Sequence, residues 1–191
     1  SATLQIVNTQ TRTTYQIPLS GTVLPLGEVL VGHGSEDLHL PIYPYFGFSY
    51  AQSIYLQSEL NISDNRITSL SYYWNGASNA PASNSWTILM AHTPNSEFAG
   101  TFAWTPCSQM AMVFSGEVSL PASPGWITIP LDNPFPYNNV DNLLIAIDEN
   151  EVGYDTSEEY FFCTSSSANR SLRYYSDSIN PDPASPPLGN L

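Results

Sequence analysis

The sequence predicts an all-β protein, built either as a sandwich or as a barrel of short strands. Apolar and polar residues alternate in several segments, and no window of a dozen residues shows the apolar spacing of a helix. The 16 prolines and 11 glycines recur at short intervals, so turns are frequent. Short strands separated by turns are typical of sandwiches and barrels. Aromatic residues make up 13% of the chain and supply the material for a core.

Eight segments are predicted to be strands. In chain order they are TLQIVNT (3–9), SYAQSIYLQSELNI (49–62), RITSLSYYW (66–74), SWTILMAHT (85–93), MAMVFSGEVSL (110–120), GWITIPL (125–131), NLLIAID (142–148) and SLRYYSD (171–177). The seventh is continuously apolar, as expected of a strand buried between two layers. The second also contains helix formers, but Ile54, Tyr55 and Leu56 favour a strand. The terminal NPDPASPPLGNL is predicted to be extended surface chain, because proline removes backbone donors.

The charge balance excludes several classes of protein. The 191 residues include 17 acidic side chains, four arginines and no lysine, for a net charge of −13. Binding to nucleic acid or to anionic lipid needs a basic surface, which this chain lacks. No apolar stretch reaches 18 residues, so no membrane span is predicted. The three histidines lack zinc-site spacing, and no nucleophile-elbow or phosphate-loop motif is present.

An acidic segment, DENEVGYDTSEEYFFC (148–163), follows the apolar run NLLIAI. Asp148 is the acid nearest the predicted core, and a buried carboxylate must be paired or coordinated. Carboxylates on adjoining loops can converge on Ca²⁺, so the candidate metal ligands are Asp148, Glu149 and Asp155. Arg170 or Arg173 is the competing partner for Asp148. The remaining acids, expected to be solvated, are Glu151, Glu158 and Glu159.

The same segment could also hold a catalytic carboxylate pair. Glycosidases place two acids about 5–10 Å apart across a sugar ring. Seventeen acidic residues produce many accidental pairs, and nothing in the sequence marks one pair as desolvated. We therefore expect no enzymatic activity.

Two cysteines, Cys107 and Cys163, permit one disulfide. A chain poor in charge and rich in Tyr, Ser, Asn and Thr is typical of secreted proteins, in which disulfides persist. We expect Cys107 to pair with Cys163, with two buried thiols as the alternative.

Clustered aromatic residues raise the separate possibility of sugar binding. The runs YPYFGFSY (43–50) and YYWNG (72–76) each place several rings close together, and about half of these rings must fill the core. Exposed Tyr and Trp rings would offer a surface on which a sugar can stack. The candidate ligand-binding residues are Trp74, before the Asn75-Gly76 turn, Trp104, Tyr45 and Tyr73.

Several ordered phrases resemble a family of extracellular domains in large secreted proteins of Bacteroidetes-like bacteria, related to the cleaved-adhesin domains of surface hemagglutinins. The phrases are LPIYPYFGFSYAQSIYLQSEL, ITSLSYYWNG, WTILMAHTPNSEF, MVFSGEVSLPASPGWITIPLDNPFPYN and NLLIAIDENEVGYD. The resemblance covers residues 29–187 and implies a jelly-roll-like antiparallel β-sandwich. It further implies an extracellular or cell-surface location, a non-catalytic role in adhesion or glycan binding, and structural calcium.

The N-terminal stretch, residues 1–28, lies outside the resemblance, so the predicted organisation is an extension (1–28) followed by the sandwich domain (29–191). Similar domains continue into one more apolar strand after the NPDPASPP stretch, and a missing strand leaves a sheet edge open to pairing. The extension could fill that edge in its own chain or in a neighbouring copy, or it could be an ordinary first strand. The alternative function is therefore a structural subunit of an extracellular fibre or coat, assembled by strand donation with copies of itself.

Overall fold

The computed structural model describes residues 27–62 and 66–191, together with the backbone of two strands within residues 2–19. The chain divides into two compact units, Ser1–Leu30 and Val31–Leu191. In the first unit β1 and β2 form an antiparallel hairpin in which Leu4 is opposite Ile17 and Ile6 is opposite Tyr15. The predicted role of residues 1–20 in strand donation falls largely outside the described residues.

Eleven strands and one α-helical turn are present in the described residues. They are β1 Ala2–Asn8, β2 Thr13–Leu19, β3 Glu36–Asp37, β4 Phe48–Tyr55, α1 Gln57–Leu60, β5 Arg66–Trp74, β6 Ser85–Thr93, β7 Ala111–Glu117, β8 Gly125–Pro136, β9 Asn142–Glu149, β10 Phe162–Cys163 and β11 Ser171–Ser176. All of the strand pairs are antiparallel. The predicted all-β fold is confirmed.

The larger layer of the second unit is a five-stranded sheet with the order β11-β4-β9-β6-β7. Its central strand, β9, is the continuously apolar NLLIAI segment, which is buried on both faces as predicted. Ile145 and Ile147 project to one face, and Leu144 and Ala146 project to the other, because successive side chains in a strand alternate.

The opposing layer is built around the β5–β8 pair. An isolated bridge between Trp74 and Phe161 extends this pair towards β10, which in turn pairs with β3. The main core lies between the two layers, where Trp74, Ile127 and Phe161 pack with Ile88 and other side chains of the five-stranded sheet. The arrangement is a β-sandwich. The finer jelly-roll topology stays a prediction.

The other face of the five-stranded sheet is covered by a segment without regular strands. Phe98, Trp104 and Met110 pack onto Ile54, Leu144 and their neighbours, forming two smaller apolar clusters. Within this segment, residues 107–109 form a single 3-10 turn. Both faces of the central strand are therefore dry, so polar groups at its end have little access to water.

Most predicted strands match observed ones, and the differences are local. The segment predicted as one strand from 49 to 62 ends at Tyr55 and is followed by the helical turn α1. The sequence did not predict β2, β3 or β10, and the last two contain only two residues each. In the described part of the chain, no helix is long and apolar enough to span a membrane.

Candidate functional site

An aromatic pair is exposed on the outer face of the β5–β8 sheet. Tyr73 lies directly opposite Trp126 in the ladder, and their ring centroids are 5.3 Å apart in an edge-to-face arrangement. The Trp126 side chain is 54% exposed and that of Tyr73 is 36% exposed. This face is open because side chains alternate along each strand, so the neighbours Trp74 and Ile127 point inwards.

Two further rings extend this surface beyond β5. Phe162 of β10 lies 5.5 Å from Tyr73, and Tyr160 lies 5.2 Å from Phe162, measured between ring centroids. Both side chains are half-buried. We refer to Tyr73, Trp126, Tyr160 and Phe162 together as the aromatic face.

Hydroxyl groups lie beside the aromatic face on the same strands. Ser71 is opposite Thr128 in the ladder, and their side-chain oxygens are 2.9 Å apart and solvent-exposed. Ser69 and Pro130 form the next opposed pair. The arrangement offers a flat apolar surface with hydrogen-bonding groups at its border and no charged side chain among these opposed pairs.

Trp74, the first candidate for sugar stacking, is completely buried, so that prediction is wrong. Its ring packs against Phe161 in the main core, and its indole Nε1 donates to the carbonyl oxygen of Pro121 at 2.9 Å. The sequence places three aromatic residues in a row at 72–74, and the pleat turns only the middle one, Tyr73, outwards.

Trp126 was missed by the sequence argument, although a signal was present. In GWITIPL the residues Trp126 and Thr128 alternate with Ile127 and Ile129. If the isoleucines fill the core, the tryptophan must be outside. The buried pattern of β8 follows this alternation.

The other two candidates lie in different surroundings. Trp104 is half-buried in the segment that covers the five-stranded sheet, where its ring packs on Tyr50 and its Nε1 donates to Pro187. Tyr45 is exposed and lines a shallow cleft of about 220 Å³ together with Tyr154 and Asp177. Tyr45 and Tyr73 therefore remain accessible, and they belong to separate surfaces.

The acids at the end of β9 are both buried, but they face different environments. Asp148 is 6% exposed and Glu149 is 1% exposed. In the sheet Asp148 is opposite Tyr50 and Thr87, whereas Glu149 is opposite Ser49 and Trp86. Adjacent strand residues point to opposite faces, so these two carboxylates do not share one site.

Glu149 is held by local backbone. Its Oε1 accepts a hydrogen bond from the Glu151 amide at 2.8 Å. Burial, together with the charges of Glu151, Asp148 and Asp155, raises the pKa of Glu149 to about 8. Asp155 accepts hydrogen bonds from the Ser83 hydroxyl at 2.7 Å and from the Ala82 amide at 3.4 Å.

Asp148 differs from Glu149, because its Oδ1 is buried and accepts no hydrogen bond. Burial raises the pKa of Asp148 to about 6, although a hydrogen bond from the Asn150 side chain opposes the shift; the charge of Asp182 adds to it. The arginines predicted as partners do not pair with Asp148. Arg170 binds Glu59 at 2.6 Å, and Arg173 leaves its strand on the opposite face of the sheet.

The remaining acids of residues 148–163 differ in their exposure to solvent. Glu158 is exposed and Glu151 is half-buried. Glu159 was expected to be solvated but is buried, and it accepts hydrogen bonds from the amide and hydroxyl of Thr156. Burial opposes ionisation of Glu159, but hydrogen bonds from Ser78 and Thr156 outweigh it and keep its pKa below the ordinary value. Glu159 therefore stabilises the turn formed by residues 156–159.

The three predicted calcium ligands do not form one cluster. Among the described residues, no three side chains of His, Cys, Asp or Glu come together in a way that could hold a metal ion. Glu149 and Asp155 already accept local hydrogen bonds. The unpartnered oxygen of Asp148 is the one feature of this set that suits a cation.

The expected disulfide is not formed, and both cysteines are free. Cys107 packs beside Tyr50 on the outer face of the five-stranded sheet. The thiol of Cys163 contacts the carbonyl oxygen of Leu40 at 3.3 Å, in the other layer, and burial raises its pKa. The sheet lies between the two thiols, so pairing would require it to be rearranged.

Comparisons with protein-family models, with curated proteins and with solved structures found no match to this chain.

Proposed function

We propose that this chain is a non-catalytic glycan-binding module that acts in adhesion at a bacterial cell surface, and that the aromatic face holds the sugar. The observation that supports the proposal is the pairing of exposed Trp126 with Tyr73 on an open sheet face. Sugar rings have apolar faces made of C–H groups, and they stack on flat aromatic rings whose polar edges remain wet.

The border of the aromatic face suits a neutral ligand. Ser71 and Thr128 can donate and accept hydrogen bonds with sugar hydroxyls. The protein has a net charge of −13, yet the opposed pairs beside Trp126 carry no charge, so an uncharged saccharide meets no unpaired carboxylate there. The ring contact between Tyr73 and Trp126 also limits motion of both rings, which lowers the entropic cost of binding.

The experiment is a glycan array with the intact chain, followed by calorimetric titration of the best ligand into variants. Trp126→Ala should weaken binding at least about tenfold, which corresponds to the loss of about 1.4 kcal/mol. Phe102→Ala is the matched control, because Phe102 is 77% exposed and lies in the segment that covers the five-stranded sheet. This control should bind as the unchanged protein does.

A third variant, Tyr45→Ala, separates the aromatic face from the cleft. If Tyr45→Ala abolishes binding while Trp126→Ala does not, glycan binding stands and its site is the cleft lined by Tyr45, Tyr154 and Asp177. An array without any ligand would contradict the proposed function itself.

The alternative function, a structural subunit of an extracellular fibre or coat, is favoured by a different observation. The β1–β2 hairpin belongs to a unit of its own, and a two-stranded hairpin is only marginally stable in water. Such a segment gains stability when it pairs with a further strand. Size-exclusion chromatography of the intact chain separates the two functions: a monomer at all concentrations favours the binding module, and growing assemblies favour the subunit.

A further inference from the structure

The cleft at one end of the sandwich combines two tyrosines with a carboxylate. It encloses about 220 Å³ and is lined by Tyr45, Tyr154 and Asp177. β4 begins at the end of the sheet at which its antiparallel neighbours β9 and β11 finish. The turn before β4 and the segments after β9 and β11 therefore meet there, and each of the three contributes one lining residue.

Backbone contacts hold the three segments together. The Asp155 amide donates to the carbonyl oxygen of Pro44 at 2.8 Å, which joins the segment after β9 to the turn before β4. The Gly47 amide donates to Oδ1 of Asp177 at 3.4 Å. A Cβ at Gly47 would lie 3.0 Å from the backbone oxygen of Gly153 and 3.2 Å from that of Asp177, so all three segments are in close contact. The cleft is therefore formed before any ligand arrives.

The cleft offers a negative charge beside two accessible aromatic rings. The Tyr45 ring meets Phe46 edge to face, with centroids 5.3 Å apart, and is 46% exposed. Tyr154 is 68% exposed. Asp177 is also exposed, and neither ion pair of the described residues includes it. A cation in this cleft is attracted both by the carboxylate and by the faces of the rings.

We propose that this cleft binds the guanidinium group of an arginine side chain on a partner protein, a role that goes beyond glycan binding. Guanidinium is planar and weakly hydrated, so it stacks on aromatic rings while its N–H groups pair with a carboxylate. The cleft volume of about 220 Å³ is below the roughly 300–1,000 Å³ of sites for drug-sized molecules, so the cleft suits a single side chain. The net charge of −13 attracts a cationic partner.

Exposed apolar side chains beside the lining residues favour a protein as the source of the arginine. Val152 is 79% exposed and Ile179 is 56% exposed, and each lies two residues from a lining residue. The side-chain amide of Asn180 donates to Oδ1 of Asn150 at 2.8 Å, so the two segments that carry these apolar residues lie side by side. Neighbouring exposed apolar groups are typical of protein interaction sites, whereas a free guanidinium compound would leave them in water.

The test is an NMR titration of the intact, isotope-labelled chain with N-acetyl-arginine amide at constant ionic strength and neutral pH. The amide signal of Gly47, which donates to Asp177, should shift and saturate with a Kd of about 10⁻³ M, because single contacts at exposed sites are weak. N-acetyl-citrulline amide has nearly the same shape without the charge and should bind at least about tenfold more weakly. N-acetyl-lysine amide should bind at least about threefold more weakly, because its ammonium group is strongly hydrated and lacks the planar fork.

Four variants locate the site. Asp177→Asn should weaken binding of the arginine probe at least about tenfold, and it keeps a side-chain oxygen for the Gly47 amide. Tyr154→Ala should weaken binding at least about threefold, because one aromatic ring is lost. Glu158→Gln is the matched control, since it also removes one charge from an exposed acid but lies outside the cleft. Trp126→Ala alters the aromatic face alone. Both of these last variants should bind the probe as the unchanged protein does.

A capped peptide with arginine between two leucines separates a protein partner from a free guanidinium compound. It should bind at least about threefold more tightly than N-acetyl-arginine amide, and equal affinities would overturn the assignment to a protein. Equal binding of the arginine and citrulline probes, or equal losses in Asp177→Asn and Glu158→Gln, would overturn the cation site. So would the absence of saturable binding, or a loss of binding in Trp126→Ala. These outcomes do not depend on the glycan array, so this proposal and the proposed function can fail separately.

Discussion

Trp126 lies directly opposite Tyr73 in the β5–β8 ladder, and the two rings meet edge to face with centroids 5.3 Å apart. One residue away on each strand, Trp74 and Ile127 point into the core. Two tryptophans at neighbouring positions of one sheet thus have opposite roles, one in packing and one on the surface. The difference arises from the pleat of the strands and not from residue type.

The two tryptophans should differ sharply in their contribution to stability. Trp74→Ala leaves a cavity beside Phe161 and removes a hydrogen bond to Pro121, so it should lower the free energy of unfolding by about 3–5 kcal/mol. Trp126→Ala should lower it by less than about 1 kcal/mol, because the ring is largely hydrated in the folded state. Urea denaturation of both variants, monitored by circular dichroism, measures the contrast. Equal losses would contradict the outward orientation of Trp126.

Stability should fall as pH rises from about 4 to about 8 in the presence of chelator. The pKa values of Asp148 and Glu149 are raised to about 6 and about 8, above their ordinary values of 3.8 and 4.5. The folded state therefore binds protons more tightly than the unfolded state. The resulting stabilisation is complete below about pH 4 and is lost as pH rises through the folded pKa values. Melting temperatures measured at pH 5 and pH 8 test this prediction, and the melting temperature should be lower at pH 8.

Two variants identify the groups that cause this pH dependence. Asp148→Asn should flatten the curve between about pH 4 and pH 6, and Glu149→Gln should flatten it between about pH 4.5 and pH 8, because each replaces a titrating carboxyl with a neutral amide. At pH 8 the penalty that Asp148→Asn relieves is about 3 kcal/mol, at about 1.4 kcal/mol for each pKa unit. A slope that neither variant changes would assign the pH dependence to the overall net charge of −13.

Both cysteines should be free in the purified protein. Labelling under denaturing, non-reducing conditions should therefore find two thiols in each chain. In the folded protein Cys163 should react slowly, because burial raises its pKa and the thiolate is the reactive form. Finding no free thiols would restore the disulfide between Cys107 and Cys163 that the sequence suggested.

Gly34 should not tolerate a larger residue. A Cβ at this position would lie 1.6 Å from the backbone oxygen of Cys163, because the β3–β10 pairing brings the two chain segments together. Gly34→Ala should destabilise the protein by about 1–3 kcal/mol through backbone displacement. Gly100→Ala is the control, since a Cβ there meets no atom within 4 Å. Similar melting temperatures for both variants would refute the close approach of Gly34 to Cys163.

The sequence by itself determined the all-β class and the positions of most strands of the sandwich. These properties depend on local patterns: the alternation in RITSLSYYW, the continuous apolar run of NLLIAI and the turn at Asn75-Gly76. It also identified Asp148 as the acid nearest the core, because an acid that directly follows a buried strand cannot be far from apolar neighbours.

Only the tertiary structure decided which face of each strand is covered and which distant segments meet. The sequence could not choose between Tyr73 and Trp74, because the direction of alternation depends on which layer β5 packs against. It could not reveal that the five-stranded sheet separates Cys107 from Cys163, since this separation depends on contacts between residues far apart in the chain. Local periodicity specifies secondary structure, whereas a site is formed by the packing of one layer on another.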